Sequence, residues 1–128
     1  MPPHITGPVW LQGPIEGVPG LLQPVAHALV EAAQDVRALL ATMTPDETWT
    51  RPHGAASVGF HVRHSMGSLD RLLTYARGEA LSETQLATLA AEKTMNSGPG
   101  GPGELSGVFD AAIDRALDQL RSTSQEAL

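Results

Sequence analysis

Leu22, Val25, Leu29, Ala32, Val36, Leu39 and Met43 follow one another at alternating intervals of three and four residues. Only an α-helix brings such a series onto one face, and the width of the series matches a bundle seam rather than a strand. The spacing predicts a long helix from about Gly20 to Met43. Pro24 is tolerated only in a first turn, so the helix should start near residue 22 or 23. Gln23, His27, Glu31, Gln34, Asp35 and Ala38 lie off the seam and should face outward.

The same reading carries along the chain. Residues 1–19 form a Pro/Gly-rich arm, with Pro2, Pro3, Pro8, Pro14 and Pro19 barring a helix. Val9, Trp10, Leu11, Ile15 and Val18 are apolar, so the arm is expected to pack on the bundle. Thr44-Pro45-Asp46-Glu47 reads as a capping box opening a short turn. A second long helix is expected from about Ala56 to Arg77, stopped by Gly78. Ser82-Glu83-Thr84-Gln85 is another capping box, opening a short helix to about Lys93 with Leu86, Leu89 and Ala90 on one face. Residues 96–103, rich in glycine and proline, should form a flexible connection. A last helix runs from about Glu104 into the 120s, with Leu105, Phe109, Ala112, Ile113, Ala116, Leu117 and Leu120 as its apolar stripe. No β-branched alternation is sustained anywhere. The expected fold is all-α, an antiparallel helical bundle in a single domain over residues 20–128.

Charge and composition narrow the function. The net charge is -6, and the lysines and arginines are scattered. No basic stripe could neutralise a run of phosphates, so nucleic-acid binding is not expected. No apolar run approaches the roughly 20 residues of a membrane span. The chain has no cysteine, which removes thiolate ligands and disulfides and suits a cytoplasmic location.

The second helix carries two lines of residues. Val58, Val62, Met66, Leu69, Leu73 and Ala76 make a core stripe. His61, His64, Ser68, Arg71 and Tyr75 make a second line at spacings of three, four, three and four. Two imidazoles, a hydroxyl, a guanidinium and a phenol in a row suit ligand and hydrogen-bond chemistry better than a solvated face. Neutral imidazole binds zinc, nickel or iron, and a catalytic site takes about three protein ligands with one position open. His61 and His64 could supply two of them from this helix, and His53 in the preceding loop could approach the same end. The plainer alternatives are surface histidines, an Arg71 paired with a nearby carboxylate, and a Trp49 that serves as a packing anchor. Asp110, Asp114 and Asp118 on the last helix read as a solvated face beside Arg115 and Arg121.

Three segments carry a family resemblance: Trp49-Thr50-Arg51-Pro52, then Ser57-Val58-Gly59-Phe60-His61-Val62-Arg63-His64, then Gly67-Ser68-Leu69-Asp70-Arg71-Leu72. Together they resemble the central signature of the DinB/YfiT-like superfamily, and the likeness extends over roughly residues 20–122. The resemblance implies a four-helix bundle of up-down-down-up order, in which the short 82–93 helix lies in a long crossover. It implies His64 as a metal ligand, with His61 the second choice, and a pocket lined by His61, Ser68, Arg71 and Tyr75. The expected cofactor is a divalent metal, zinc or nickel. The expected activity is that of a metal-dependent hydrolase or a thiol-dependent transferase, and the expected assembly is a homodimer acting on a small molecule. The family's other two ligands come from an H-x-x-x-H motif on the fourth helix. No histidine follows His64 in this sequence. Three long helices and one short one are therefore expected, with the fourth bundle helix missing, the domain incomplete at its C-terminus and the metal site incomplete. A non-catalytic helical module that dimerises or binds a small ligand is the alternative reading.

Overall fold

A computed structural model describes residues 7–94 and 100–128 of the chain. The expectations for Pro2, Pro3 and residues 96–99 fall outside the described residues. Among those described, the regular structure is entirely helical: α1 (Gln23–Leu40), α2 (Pro45–Trp49), α3 (Val58–Ala76), α4 (Glu83–Glu92) and α5 (Pro102–Ser122), with short 3-10 turns at Val9–Leu11, Gly20–Leu22, Pro52–Gly54 and Gln125–Ala127. No helix is long and apolar enough to cross a membrane.

Helix α5 is the centre of the bundle and packs against both α1 and α3. All seven residues of its expected stripe, from Leu105 to Leu120, are buried. Leu105, Phe109, Ile113, Leu117 and Leu120 among them meet Val18 of the arm, Ala26, Ala33 and Leu40 of α1, and Val62 of α3 in one core. Pro102 occupies the first turn of α5, so the helix begins two residues before the expected Glu104. Proline is suited to that place because its missing N–H would have no intrahelical partner there.

Helix α1 starts where Pro24 requires and ends at Leu40, three residues short of the expected Met43. Its buried line is also rotated from the expected one. Ala26, Ala33 and Leu40 are buried, whereas Val25 and Leu39 are 46% and 50% exposed. Leu22, Leu29, Val36 and Met43 flank the buried line as partly buried neighbours. The series 22, 26, 29, 33, 36, 40 and 43 has the same alternation of three and four. Two of its members are alanines, which contribute little hydrophobicity but let α5 approach closely. The polar residues of α1 hold the arm. Gln23 bonds the N–H and carbonyl of Ile15 and the carbonyl of Val18, and Glu31 accepts from the N–H of Val9. His27 Nε2 lies 2.9 Å from the carbonyl of Gly13, so its off-seam position serves the arm rather than open solvent.

Both capping boxes form as the sequence suggests, at Thr44/Glu47 and Ser82/Gln85. Glu47 is held ionised: its hydrogen bonds to Thr44 lower its carboxyl below the ordinary value. Ser57 caps α3, and Gly78 follows the helix with φ of 77°. Trp49 at the end of α2 lies flat against α3 at Gly59, where a Cβ would meet the indole at 2.7 Å. The Arg63 guanidinium sits 5.5 Å from the centre of the same ring. The signature tryptophan and glycine are thus one packing device, fixing the turn before α3.

Helix α4 packs on α3 by an unexpected face. Leu86 is 52% exposed and Ala90 is exposed, while Gln85, Leu89 and Glu92 turn inward. Gln85 donates to Asp70 and Thr74, and Glu92 reaches Arg71 and His64. Two polar clasps, not an apolar stripe, hold α4 to α3.

Candidate functional site

The middle of α3 carries the second line of residues read from the sequence. At 100° per residue, positions 64, 68 and 71 fall on one side of the helix. That side faces the last turn of α4. Glu92, the last residue of α4, points into it and is only 5% exposed. Its carboxylate binds Arg71 with both oxygens, at 2.9 and 3.2 Å, and receives His64 Nδ1 at 3.0 Å. Ser68 Oγ lies 3.4 Å from His64 Nε2 and 3.3 Å from Arg71 Nη2. Phe60, one turn before His64, stacks its ring parallel to the imidazole with centroids 5.8 Å apart.

Gly67 makes the cluster possible. A Cβ at that position would stand 1.9 Å from Glu92 Oε1 and 2.7 Å from Arg71 Nη1. Only a residue without a side chain lets a buried carboxylate lie directly on the surface of α3.

Electrostatics follow from these contacts. Burial pushes the Glu92 carboxyl up, as loss of hydration penalises the charge. The hydrogen bonds and charges of Arg71 and His64 together outweigh that cost, so its pKa lies below the ordinary carboxylate value. An ionised carboxylate can only accept hydrogen bonds, so the proton of the neutral imidazole belongs on Nδ1. Nε2 then carries the lone pair, which Ser68 Oγ meets at 3.4 Å. The His64 side chain is 47% exposed, so this nitrogen is within reach of a small molecule.

The expected site residues separate into two sets. His64, Ser68 and Arg71 come together. His61 and Tyr75 are both exposed and stand apart from the cluster. His61 instead lines a cavity of about 340 Å³ with Met43, Glu47, Thr50, Pro52, Ala56 and Val58. His53 is exposed in the loop before α3, with φ of 51°. Arg71 pairs with Glu92 rather than Asp70 or Glu79, and Glu79 pairs with Arg77. Asp110 pairs with Arg37 of α1 at 2.8 Å, and Asp118 with Arg121. Sequence reasoning missed Glu92. The available signal was the 85, 89, 92 spacing on α4, which places a carboxylate on the same face as the capping glutamine.

A model of the DinB superfamily matches residues 28–128. The chain belongs to the DinB superfamily. No curated protein and no solved structure matches it. The all-helical bundle is therefore that of the superfamily. DinB proteins are generally associated with metals, and the donor set can be tested against that. Among the described residues, no three His, Asp or Glu side chains are grouped to hold an ion. Both oxygens of Glu92 are already engaged by Arg71 and His64, and His64 presents one nitrogen, Nε2, that Glu92 does not take. A single imidazole lone pair does not make a catalytic metal site, which takes about three protein ligands. The described residues do not fit a self-contained metal centre.

Proposed function

We propose that this DinB-superfamily protein is a hydrolase or thiol-dependent transferase in which His64 handles the proton. The observation that carries this reading is the buried Glu92, which fixes the tautomer of an imidazole whose other nitrogen is accessible. A histidine held this way can take a proton from water or a thiol and return it to a leaving group. Glu92 stabilises the imidazolium formed on the way, and Arg71 holds Glu92 in place. No step is assigned to a zinc or nickel ion, since such an ion would find only His64 Nε2 among these side chains.

The test is turnover of p-nitrophenyl acetate, with water as acceptor and then with added cysteine. Turnover above the uncatalysed rate is expected, with a fall of ~100-fold or more in His64→Ala. Equal rates for the native chain and His64→Ala, both at background, would sink the reading.

A second reading is favoured by the cavity beside His61. Its walls are mostly apolar, from Met43, Pro52, Ala56 and Val58, and its size lies in the range of small-ligand sites. A non-catalytic ligand-binding module would use this cavity and leave the His64 cluster as a structural clasp. Ligand-induced stabilisation lost in Ala56→Phe but kept in His64→Ala would select it. The assembly proposed for either reading is a homodimer, with the exposed Leu72 and Tyr75 of α3 as the surface to probe by ultracentrifugation.

A further inference from the structure

We propose that Ser68, His64 and Glu92 form a nucleophile relay that transfers a small acyl group from an ester or thioester onto the Ser68 hydroxyl. This rests on the reading of His64 as the proton-handling group and adds the atom that is acylated. The geometry is that of a serine, a histidine and a carboxylate in series: Oγ to Nε2 at 3.4 Å and Nδ1 to Oε2 at 3.0 Å. Such a series activates a hydroxyl that is otherwise a weak nucleophile, and it recurs on unrelated folds because it depends on distances and roles rather than on chain order.

The orientation of Ser68 agrees with this geometry. Serine and threonine within helices usually turn the hydroxyl back to the carbonyl four residues earlier. Ser65, Thr74 and Thr88 do so here, to the carbonyls of His61, Asp70 and Thr84. Ser68 gives up that bond and faces His64 Nε2 and Arg71 Nη2. Arg71 can only donate, and His64 carries its proton on the Glu92 side. The hydroxyl proton of Ser68 therefore points to Nε2, the direction in which it must leave. The guanidinium beside Oγ favours the negative charge that develops as it does so.

The step balances with the ester and water alone. The Ser68 proton passes to His64 Nε2 while Oγ bonds the carbonyl carbon, and the carbonyl electron pair moves to oxygen beside Arg71. The C=O bond reforms as the bond to the alcohol or thiol breaks, and the leaving group takes the proton from His64. Water then gives its proton to His64 and bonds the acyl carbon. Ser68 leaves with that proton, and a carboxylic acid is released.

Rapid mixing of the full chain with p-nitrophenyl acetate tests the relay. The expected result is a burst of p-nitrophenol, followed after acid quench by one acetyl group mapped to Ser68. Ser68→Ala should lose the burst and slow turnover ~100-fold, with helix formation intact because alanine is the better helix former. Ser65→Ala, one turn away with its hydroxyl on a backbone carbonyl, should keep both. An acetyl group found on His64 or a lysine overturns the relay. So does full turnover in Ser68→Ala, and a loss in His64→Ala in the same experiment would show that the histidine reading survives without it. Unchanged background rates in all variants would overturn both.

Discussion

The Nδ1 of His64 and the Oε2 of Glu92 lie 3.0 Å apart, joining the middle of α3 to the last residue of α4. The contact is not an isolated ion pair. Glu92 is also bound by both terminal nitrogens of Arg71, so one carboxylate organises His64 and Arg71 directly and Ser68 through them. The cluster therefore couples the position of α4 to the chemistry available at His64.

Removing the cation should be costly. The Arg71 and Glu92 side chains are 11% and 6% exposed, so their charges are poorly hydrated. Arg71→Ala leaves a buried carboxylate with only His64 to meet it, and breaking a buried pair from one side costs about 3–5 kcal/mol. The double variant Arg71→Met with Glu92→Leu removes both charges and fills the space. It should be markedly more stable than Arg71→Ala in urea unfolding. A double variant as unstable as the single one would show that the polar clasp, rather than the unpaired charge, dominates.

Acid should weaken the fold through Glu92. Its folded-state pKa lies below the ordinary value of 4.5, so the folded chain holds the ionised form more tightly than the unfolded chain does. The associated stability is fully present above about pH 4.5, the unfolded value, and is lost as pH falls through the folded value. Glu47 is lowered in the same direction by its capping bonds to Thr44 and acts in the same window. Unfolding curves measured from about pH 6 down to about pH 3 should show this fall below the unfolded value. Glu92→Gln should flatten the acid limb, leaving the share due to Glu47. An unchanged slope in Glu92→Gln would mean that the carboxylate is no more strongly held in the folded chain than in the unfolded one.

The register of α1 can be checked by adjacent leucines. Leu40 is 1% exposed and Leu39 is 50% exposed. Leu40→Ala should cost about 2–5 kcal/mol through lost burial and the cavity left behind. Leu39→Ala should cost well under that, and alanine's helix propensity offsets part of it. Thermal melts of the two variants decide between the buried line 26, 33 and 40 and the line 25, 32 and 39. Similar losses for both would return α1 to the more hydrophobic face.

What the sequence made legible divides along physical lines. Helix α5 was readable residue by residue, because its stripe from Leu105 to Leu120 is both apolar and buried. The capping boxes at Thr44 and Ser82 were readable because their chemistry is local. The register of α1 was not, since Ala26 and Ala33 are buried for close approach and carry little hydrophobic signal. The polar line on α3 located His64, Ser68 and Arg71. It could not show that His61 and Tyr75 stay exposed outside the cluster, because the stretch of the line that α4 covers is set by tertiary packing. Glu92 was hidden because its partners lie 21 and 28 residues away, and a buried carboxylate on a short helix reads as surface until those partners are placed.

Two glycines on long helices should respond to alanine in opposite directions. Replacing a helical glycine by alanine ordinarily stabilises by about 1 kcal/mol, as the backbone loses less freedom on folding. Gly107 on α5 is exposed, and a Cβ there meets nothing within 4 Å, so Gly107→Ala should show that gain. Gly67 lies within α3 as well, but its Cβ would stand 1.9 Å from Glu92 Oε1. The carboxylate must move, and the bonds to Arg71 and His64 move with it. Gly67→Ala should therefore lower the melting temperature despite the better helix former. It should also change the His64 imidazole resonances in NMR, which Gly107→Ala leaves alone. A Gly67→Ala protein with raised stability and unaltered imidazole resonances would mean that Glu92 does not rest on α3 at Gly67.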